Sequence, residues 1–295
     1  MKKSVIIKIL LTIIFLAVLV YKIDFESIVH VLESMNIFLL ICALLLVPVM
    51  YALRALRWQA ILHSTGIYLP FTTTFRILLI GNFYGLITPG KIGELGRAFH
   101  ISEKKAVTVP TVALEKLIDI AVLAFLSALT LIFLMNDSFF LKVLLLVVVV
   151  ATVGGLIALV NVKFLRFAGK YLGIGVGDID IFVQTMRALL KNNPLIAKST
   201  FIAFAYYFVN YIVALFVALA GGMLLISVTA MPVIILMGNI PITISGLGIR
   251  ESVGSLTFVL LGDTAANGFV FSLLLFLFIT VIPGICGYLF TICEK

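Results

Sequence analysis

The sequence predicts an all-α fold: a polytopic membrane helical bundle with about six full spans and two broken, re-entrant helical hairpins. Of the 295 residues, 63% are hydrophobic and 12% are charged, whereas an ordinary soluble domain is about 45–50% apolar and about 25% charged. A water-soluble fold of this length needs polar cover and has no room to hide so much apolar side chain. Long apolar runs also recur along the chain, and two of the stretches between them are interrupted by glycine and proline.

The six full spans are the uninterrupted apolar runs, each long enough to cross about 30 Å of hydrocarbon as an α-helix. They cover about 5–21, 36–56, 107–135, 139–161, 200–220 and 266–291. The first follows Met1-Lys2-Lys3 in the manner of a signal sequence, but no small-x-small cleavage site comes after it. We therefore interpret it as a retained helix and treat 1–295 as a single integral membrane domain.

Two apolar stretches, about 71–101 and 226–260, contain residues that end helices. The hinge candidates are Pro89, Gly90 and Gly93 in the first stretch and Pro241, Gly246 and Gly248 in the second. Each stretch predicts two short helices joined by a backbone break. Both contain Gly-Asn, a proline, glycines and a Glu/Arg pair in that order, a pattern typical of inverted repeats around a transporter midplane site. The halves would be about 36–135 and 200–291; because the match is short and gapped, chance similarity stays an alternative.

The basic residues predict that both termini are cytoplasmic. Threading the six spans from a cytoplasmic Lys2 places most lysines and arginines on the inner side. The outer side receives mainly acidic residues, namely Asp24, Glu26, Glu33, Asp137 and Asp263. The largest extramembrane piece is then a cytoplasmic loop, about 162–198, whose amphipathic section is expected to lie on the inner face of the membrane. This pattern is consistent with a bacterial or archaeal plasma membrane.

Ionisable side chains within apolar segments are the functional candidates, because each needs a partner, water or an interface. Arg54 and Arg57 close the second predicted span. They serve either as a snorkelling anchor at the membrane surface or as a guanidinium pair that grips a lipid phosphate. Glu94 and Arg97 follow the first break and either pair with each other or join an anion site at a helix N-terminus near Lys91.

Glu115 and Asp119 share one face of the third predicted span and repel each other unless a cation lies between them. Arg97, Arg250 and a cationic headgroup are candidate counterions, Lys116 is expected to point elsewhere, and the alternative is that both carboxylates reach the interface. Arg250 and Glu251 follow the second break, where we expect Arg250 to hold phosphate and Glu251 to orient it. The remaining candidates are small or amide side chains that either bind ligand or satisfy freed backbone groups: Asn82, Asn239 and Ser245.

The sequence offers no pattern for a cofactor, a metal site or a nucleic-acid interface, so we expect none of the three. Scattered single residues account for its histidines and cysteines: His30, His63, His100, Cys42, Cys286 and Cys293. The net charge of +8 comes from basic residues that lie mainly between apolar segments. That placement fits anionic lipid headgroups, and membrane lipids are the expected partners.

Four motifs occur in a fixed order along the chain. They are Arg54-x-x-Arg57-Trp58, Asn82 through Pro89-x-x-x-Gly93-Glu94-x-x-Arg97, Glu115-Lys116-x-x-Asp119, and Pro241-x-x-x-Ser245-Gly246-x-Gly248-x-Arg250-Glu251. In these motifs the sequence resembles the transmembrane region of lysylphosphatidylglycerol synthases, a flippase-like membrane family; arginine is more usual there at the position of Lys116. The resemblance implies a polytopic domain that moves a phospholipid or lipid-linked headgroup between leaflets. A lipid-synthesising enzyme or a glycosyltransferase is the partner class that such a role implies.

The leading hypothesis is a lipid flippase or scramblase-like transporter that is not an enzyme. Its headgroup cavity would lie between the two broken helices and contact Glu94, Arg97, Glu115, Arg250 and Glu251. Relatives that make the aminoacylated lipid carry a further soluble aminoacyl-transfer domain, whereas this sequence stops at Lys295 after its final span, so we expect no such activity. Two alternatives stay open: a membrane-embedded headgroup transferase or phosphatase that uses Glu115 and Asp119 as acid and base, and a non-transporting lipid-binding or scaffold subunit.

Overall fold

The computed structural model describes the chain in several ranges, which include most of the predicted functional residues. They are residues 21–88, 91–101, 105–134, 176–240 and 242–293, with Gly154 and Asn161. The predicted spans at 5–21 and 139–161 lie almost entirely outside these ranges. The hinge candidates Pro89, Gly90 and Pro241 also lie outside the described residues.

The regular elements of the described ranges are helices, which confirms the all-α prediction. The α-helices are α1 (Phe25–Glu33), α2 (Ile37–Ser64), α3 (Phe71–Leu86), α4 (Lys105–Leu134), α5 (Val176–Lys191), α6 (Asn193–Ala220), α7 (Met231–Gly238), α8 (Ile249–Leu260), α9 (Ala265–Phe276) and α10 (Ile282–Cys293). Two segments are 3₁₀ helices, Ile92–His100 and Leu225–Ala230. A π-helical segment, Leu277–Val281, joins α9 to α10 without a break.

Three of the described helices are long and apolar enough to cross a membrane: α2, α6 and the continuous helix Ala265–Cys293. They coincide with the predicted spans at 36–56, 200–220 and 266–291. Helix α2 begins at Asn36, whose side chain accepts hydrogen bonds from two backbone N–H groups of the first turn and so caps the helix. It continues to Ser64, so the prediction that Arg54 and Arg57 close this helix is wrong. Both arginines lie within it.

The first interrupted stretch consists of two arms that fold against each other. Helix α3 ends at Leu86 and the chain is helical again over Ile92–His100, so a break between two short helices is confirmed. A side chain on Gly81 would lie 2.9 Å from the Cβ atom of Arg97, and one on Gly85 would lie 2.7 Å from the Cγ atom of Glu94. These glycines therefore let the second arm press its charged residues onto α3.

The second interrupted stretch has the same construction. Helix α7 ends at Gly238 and α8 begins at Ile249, and between them Gly246 turns with a φ of 79° beside the backbone of Gly238. The Arg250 side chain lies directly over Gly238. In both stretches, then, the glycine of the Gly-Asn pair lies beneath the arginine of the second arm. The inverted relation of the two halves stays a prediction.

Close helix contacts hold the bundle around these two stretches. Helix α2 packs along α6, α3 packs along α10, and α8 packs along α9. Helix α5 confirms the predicted amphipathic section of the 162–198 loop and packs against α4. Its apolar stripe, with Ile179, Val183 and Met186, is buried. That stripe is thus covered by protein, and the placement of α5 on the inner membrane face stays a prediction.

Candidate functional site

Glu115 is the centre of a buried ion-pair network. Its Oε1 atom accepts a hydrogen bond from Nη2 of Arg57 at 2.9 Å and lies 3.6 Å from Nε of Arg54. Its other oxygen accepts from Nη2 of Arg97. The three arginines come from α2 and from the arm Ile92–His100, while Glu115 itself is on α4. One carboxylate therefore connects three segments of the chain.

Glu94 and Asp119 complete this network. Glu94 accepts from Arg54 at 3.0 Å and pairs with the Lys116 ammonium at 2.6 Å. Asp119 accepts from Nη1 of Arg57 at 2.7 Å. Arg57 thus spans both carboxylates on the shared face of α4, which removes the repulsion that their i, i+4 spacing would otherwise cause.

Burial makes these pairings strong and specific. Arg57 and Glu115 have no exposed surface, and Arg97 is 1% exposed. Removing charges from water is costly, so a buried pair persists only when its geometry and its further hydrogen bonds are good. Trp58 lies against Arg97, whose guanidinium is 4.2 Å from the centre of the indole ring. Trp58 is held in turn by Thr111, which accepts a hydrogen bond from the indole N–H at 3.1 Å.

Several sequence-based expectations for these residues are wrong. Arg54 and Arg57 are buried and paired with carboxylates, so they are not snorkelling anchors. Glu94 and Arg97 do not pair with each other, because the short helical arm directs them to partners on different helices. Lys116, which was expected to point away from Glu115 and Asp119, pairs with Glu94, a partner that the sequence did not indicate. Of the proposed counterions for Glu115, Arg97 is confirmed.

The π-helical segment is a second polar feature, and the sequence analysis missed it. The Asn82 side chain donates to the backbone carbonyl of Thr280 at 2.9 Å, so Asn82 satisfies a freed backbone group. The Tyr51 hydroxyl donates to the carbonyl of Ile279 at 2.8 Å. Pro283 is a signal that was available, because proline has no N–H to donate to the carbonyl four residues earlier, which is that of Ile279.

Lys91 also reaches the π-helical segment. Its ammonium donates to the Thr280 hydroxyl at 3.1 Å, and its backbone is left-handed, with a φ of 56°. Among the described residues it makes no ion pair with a carboxylate. Sequence analysis treated Lys91 only as the start of a helix, although its position directly after a break in an apolar stretch was a usable signal.

Arg250 is the buried arginine of the second interrupted stretch. It is 4% exposed, and its Nε and Nη2 atoms have no hydrogen-bond partner in the described part of the chain. Its guanidinium lies 5.1 Å from the ring centre of Phe276. One carboxylate oxygen of Glu251 accepts from the Gly248 N–H at 2.6 Å and caps α8, whereas the other has no hydrogen-bond partner among the described residues. The orienting role expected of Glu251 stays a prediction.

The other polar candidates differ in their surroundings. Thr243 and Ser245 are fully buried, and their hydroxyl groups have no partner among the described residues. Asn239 is half-buried at the end of α7. Within the described ranges no three histidine, cysteine or acidic side chains cluster as metal ligands. The chemistry of this region is therefore that of basic groups facing carboxylates and hydroxyls.

The helical fold, the apolar span candidates and the buried ion pairs together define an integral membrane protein with a polar site among its helices. Residues 5–287 match the family described as lysylphosphatidylglycerol synthase TM region. The chain belongs to this family. It is also 26% identical to a UPF0104 membrane protein of Methanocaldococcus jannaschii over an alignment that covers 99% of this chain and 95% of that relative.

Proposed function

We propose that this protein moves a lipid headgroup between the two leaflets without altering it chemically, as a flippase or scramblase-like transporter. The observation that carries the proposal is Arg250, a buried guanidinium at a break in an apolar helix, two of whose nitrogens have no hydrogen-bond partner among the described residues. Ionisable groups at such positions mark substrate pathways, and irregular backbone at membrane depth is tolerated where it is buried or lines a water-filled cavity.

Two groups of residues have different roles in this proposal. Glu94, Arg97 and Glu115 are engaged in ion pairs, so they form a frame that fixes the first arm on α2 and α4. Arg250 retains free donors and is the residue we assign to the headgroup. Of the five headgroup contacts expected from sequence, the proposal therefore retains Arg250 as the direct one. The acyl chains of the lipid stay in the bilayer.

The setting proposed for this activity is the plasma membrane of a prokaryote, with both termini in the cytoplasm. A lipid-synthesising enzyme or a glycosyltransferase is the proposed partner, because either would supply the lipid on one side only. The enzyme alternative receives no support from Glu115 and Asp119: both carboxylates accept hydrogen bonds from arginine, and this fixes them as charge partners instead of acid and base.

A leaflet-accessibility assay tests the proposal. Purified protein is placed in liposomes with headgroup-labelled phosphatidylglycerol, its lysyl ester or a polyprenyl-phosphate sugar, and the exposure of label to a membrane-impermeant quencher is followed. We expect faster exposure of one lipid, which Arg250→Ala abolishes and the exposed-site control Arg187→Ala preserves. Tight lipid binding without faster exposure of the label would refute the transporter and favour a lipid-binding or scaffold subunit. Covalent alteration of the lipid would favour the enzyme alternative.

A further inference from the structure

We propose that Lys91 and Arg250, one from each interrupted stretch, grip the same phosphate group, so that the ligand class is a phosphate ester. This inference rests on the proposed function, because it names the chemistry of the headgroup that the transporter would recognise. It assigns a binding role to Lys91, which no sequence pattern had marked as a ligand contact.

The two cations lie against one face of the last helix. Arg250 stacks on Phe276, and Lys91 donates to Thr280. Phe276 is the last residue of α9, and Thr280 lies four residues later in the π-helical segment. Four residues are slightly less than one turn of a helix with i→i+5 hydrogen bonds, so the two side chains lie on adjacent parts of one helix surface. The π-helical segment thus brings together the cations of two stretches that are far apart in sequence.

The two cations lack the carboxylate partners that the neighbouring network has. In the described ranges neither makes an ion pair, and Lys91 and Arg250 repel each other as like charges. The nearby carboxylate Glu94 attracts both but is already paired with Arg54 and Lys116. Glu251 attracts Arg250 but caps α8. Repulsion between like charges is strong where water is scarce. An anion between them would turn this repulsion into two attractions, and arginine and lysine are both phosphate-binding side chains.

The charge balance of the described residues also favours an anion. Among them, six basic side chains of this region face four carboxylates, which leaves an excess of two positive charges. The basic residues are Arg54, Arg57, Lys91, Arg97, Lys116 and Arg250, and the acidic ones are Glu94, Glu115, Asp119 and Glu251. A phosphodiester supplies one negative charge, and a phosphate monoester carries about 1.5–2. A zwitterionic ligand with no net charge would leave the excess unchanged.

Unsatisfied hydroxyl groups lie on the Arg250 side of this site. Thr243 and Ser245 are buried, and their hydroxyl groups have no partner in the part of the chain that the structure describes. Ser245 precedes Gly246, whose backbone touches the Gly238 on which Arg250 rests. Buried hydroxyl groups without partners are costly. Donation from them to phosphate oxygens would satisfy them and complete the contact on that side.

The test measures phosphate affinity and protein stability in the same variants. Purified protein in detergent is titrated with dihexanoyl phosphatidylglycerol, farnesyl phosphate, inorganic phosphate and uncharged dihexanoylglycerol. The variants are Lys91→Met and Arg250→Gln, with the exposed-site control Lys198→Met. The apparent midpoint of thermal unfolding without ligand is recorded for each.

We expect each of the two variants to weaken binding of the phosphate esters about tenfold to a hundredfold, the range for a lost hydrogen bond to a charged group. The unfolding midpoint without ligand should stay level or rise, because one of two repelling charges is gone. A residue with a merely structural role would instead lower the midpoint and leave the affinity unchanged. Lys198→Met should change neither value.

The outcomes separate this inference from the proposed function. Loss of affinity in Arg250→Gln alone would overturn the shared grip, as would equal affinity for dihexanoylglycerol. Preference for farnesyl phosphate over phosphatidylglycerol would support it and assign a monoester. Inorganic phosphate bound as tightly as the esters would overturn the assignment of a phosphate ester and make free phosphate the ligand. Confirmed binding with no lipid movement in liposomes would refute the transporter alone, whereas lipid movement with unchanged phosphate affinity in both variants would refute the shared grip alone.

Discussion

Replacing Glu115 by glutamine tests whether the ion-pair network holds the bundle together. Glutamine preserves the shape of the side chain but removes the charge that Arg57 and Arg97 share. After the change Arg57 keeps Asp119 as a partner, whereas Arg97 keeps no carboxylate within ion-pair distance among the described residues. Arg54, which lies 3.6 Å from Glu115, keeps Glu94 as its partner. The change therefore leaves one buried arginine without a carboxylate and two arginines with one carboxylate fewer.

The magnitude follows from the burial of both partners. Breaking a buried pair by removing one partner costs about 3–5 kcal/mol. At an unfolding entropy of about 2.1 cal/mol/K per residue, a chain of 295 residues shifts by about 1.6 °C per kcal/mol. The apparent unfolding midpoint should therefore fall by about 5 °C or more. Restoring the charge balance with Glu115→Gln plus Arg97→Gln should recover part of this loss, about 1–3 kcal/mol, because the two residues are in contact.

Trp58 provides the assay, because it is the one tryptophan of the chain and lies over the Arg97 guanidinium. Its fluorescence during heating in detergent reports the network directly, and Glu26→Gln, at an exposed carboxylate, is the matched control. An unfolding midpoint for Glu115→Gln equal to that of Glu26→Gln would refute the reasoning. So would a double variant less stable than Glu115→Gln alone.

Two further predictions concern the contacts of the last helix. Gly287→Val should prevent folding, since even a Cβ atom at Gly287 would overlap the Leu79 backbone where α3 meets α10; monodisperse protein in size-exclusion chromatography would contradict this, and Gly177→Ala, in open space, is the control. Tyr51→Phe should lower stability by about 1–3 kcal/mol, because it leaves the Ile279 carbonyl unpaired; an unchanged unfolding midpoint would show that another donor replaces the hydroxyl.

The sequence predicted the parts of the fold that depend on local composition. Long apolar runs predicted the helices, and the glycines between Gly238 and Ile249 predicted the break between α7 and α8. Both features act over a few residues. The arginines and carboxylates were also found as candidates, since a charge in an apolar run stands out. Locating a charge, however, does not identify its partner.

The pairings depend on how the helices pack, and periodicity within one helix does not contain that information. Arg57 reaches Glu115 and Asp119 across 58 and 62 residues of chain, so no local pattern links them. Helix periodicity placed Lys116 off the face of Glu115 and Asp119, but it did not identify the partner of Lys116, because Glu94 lies on an arm outside α4. The π-helical segment depends on donors from α2 and α3, which no composition rule supplies.

The long separation between Arg57 and its partners has a consequence for biosynthesis. Helix α2 leaves the ribosome before α4 exists, and a central arginine adds about 2.5–3.5 kcal/mol to the insertion of an isolated helix. The strongly apolar first half of α2 offsets this cost. Among the described residues, Arg54 finds its partner Glu94 in the arm before α4, whereas Arg57 has no carboxylate partner until Glu115 and Asp119 have been translated. A chain that stops between these two helices would therefore hold Arg57 in an apolar helix without a counterion.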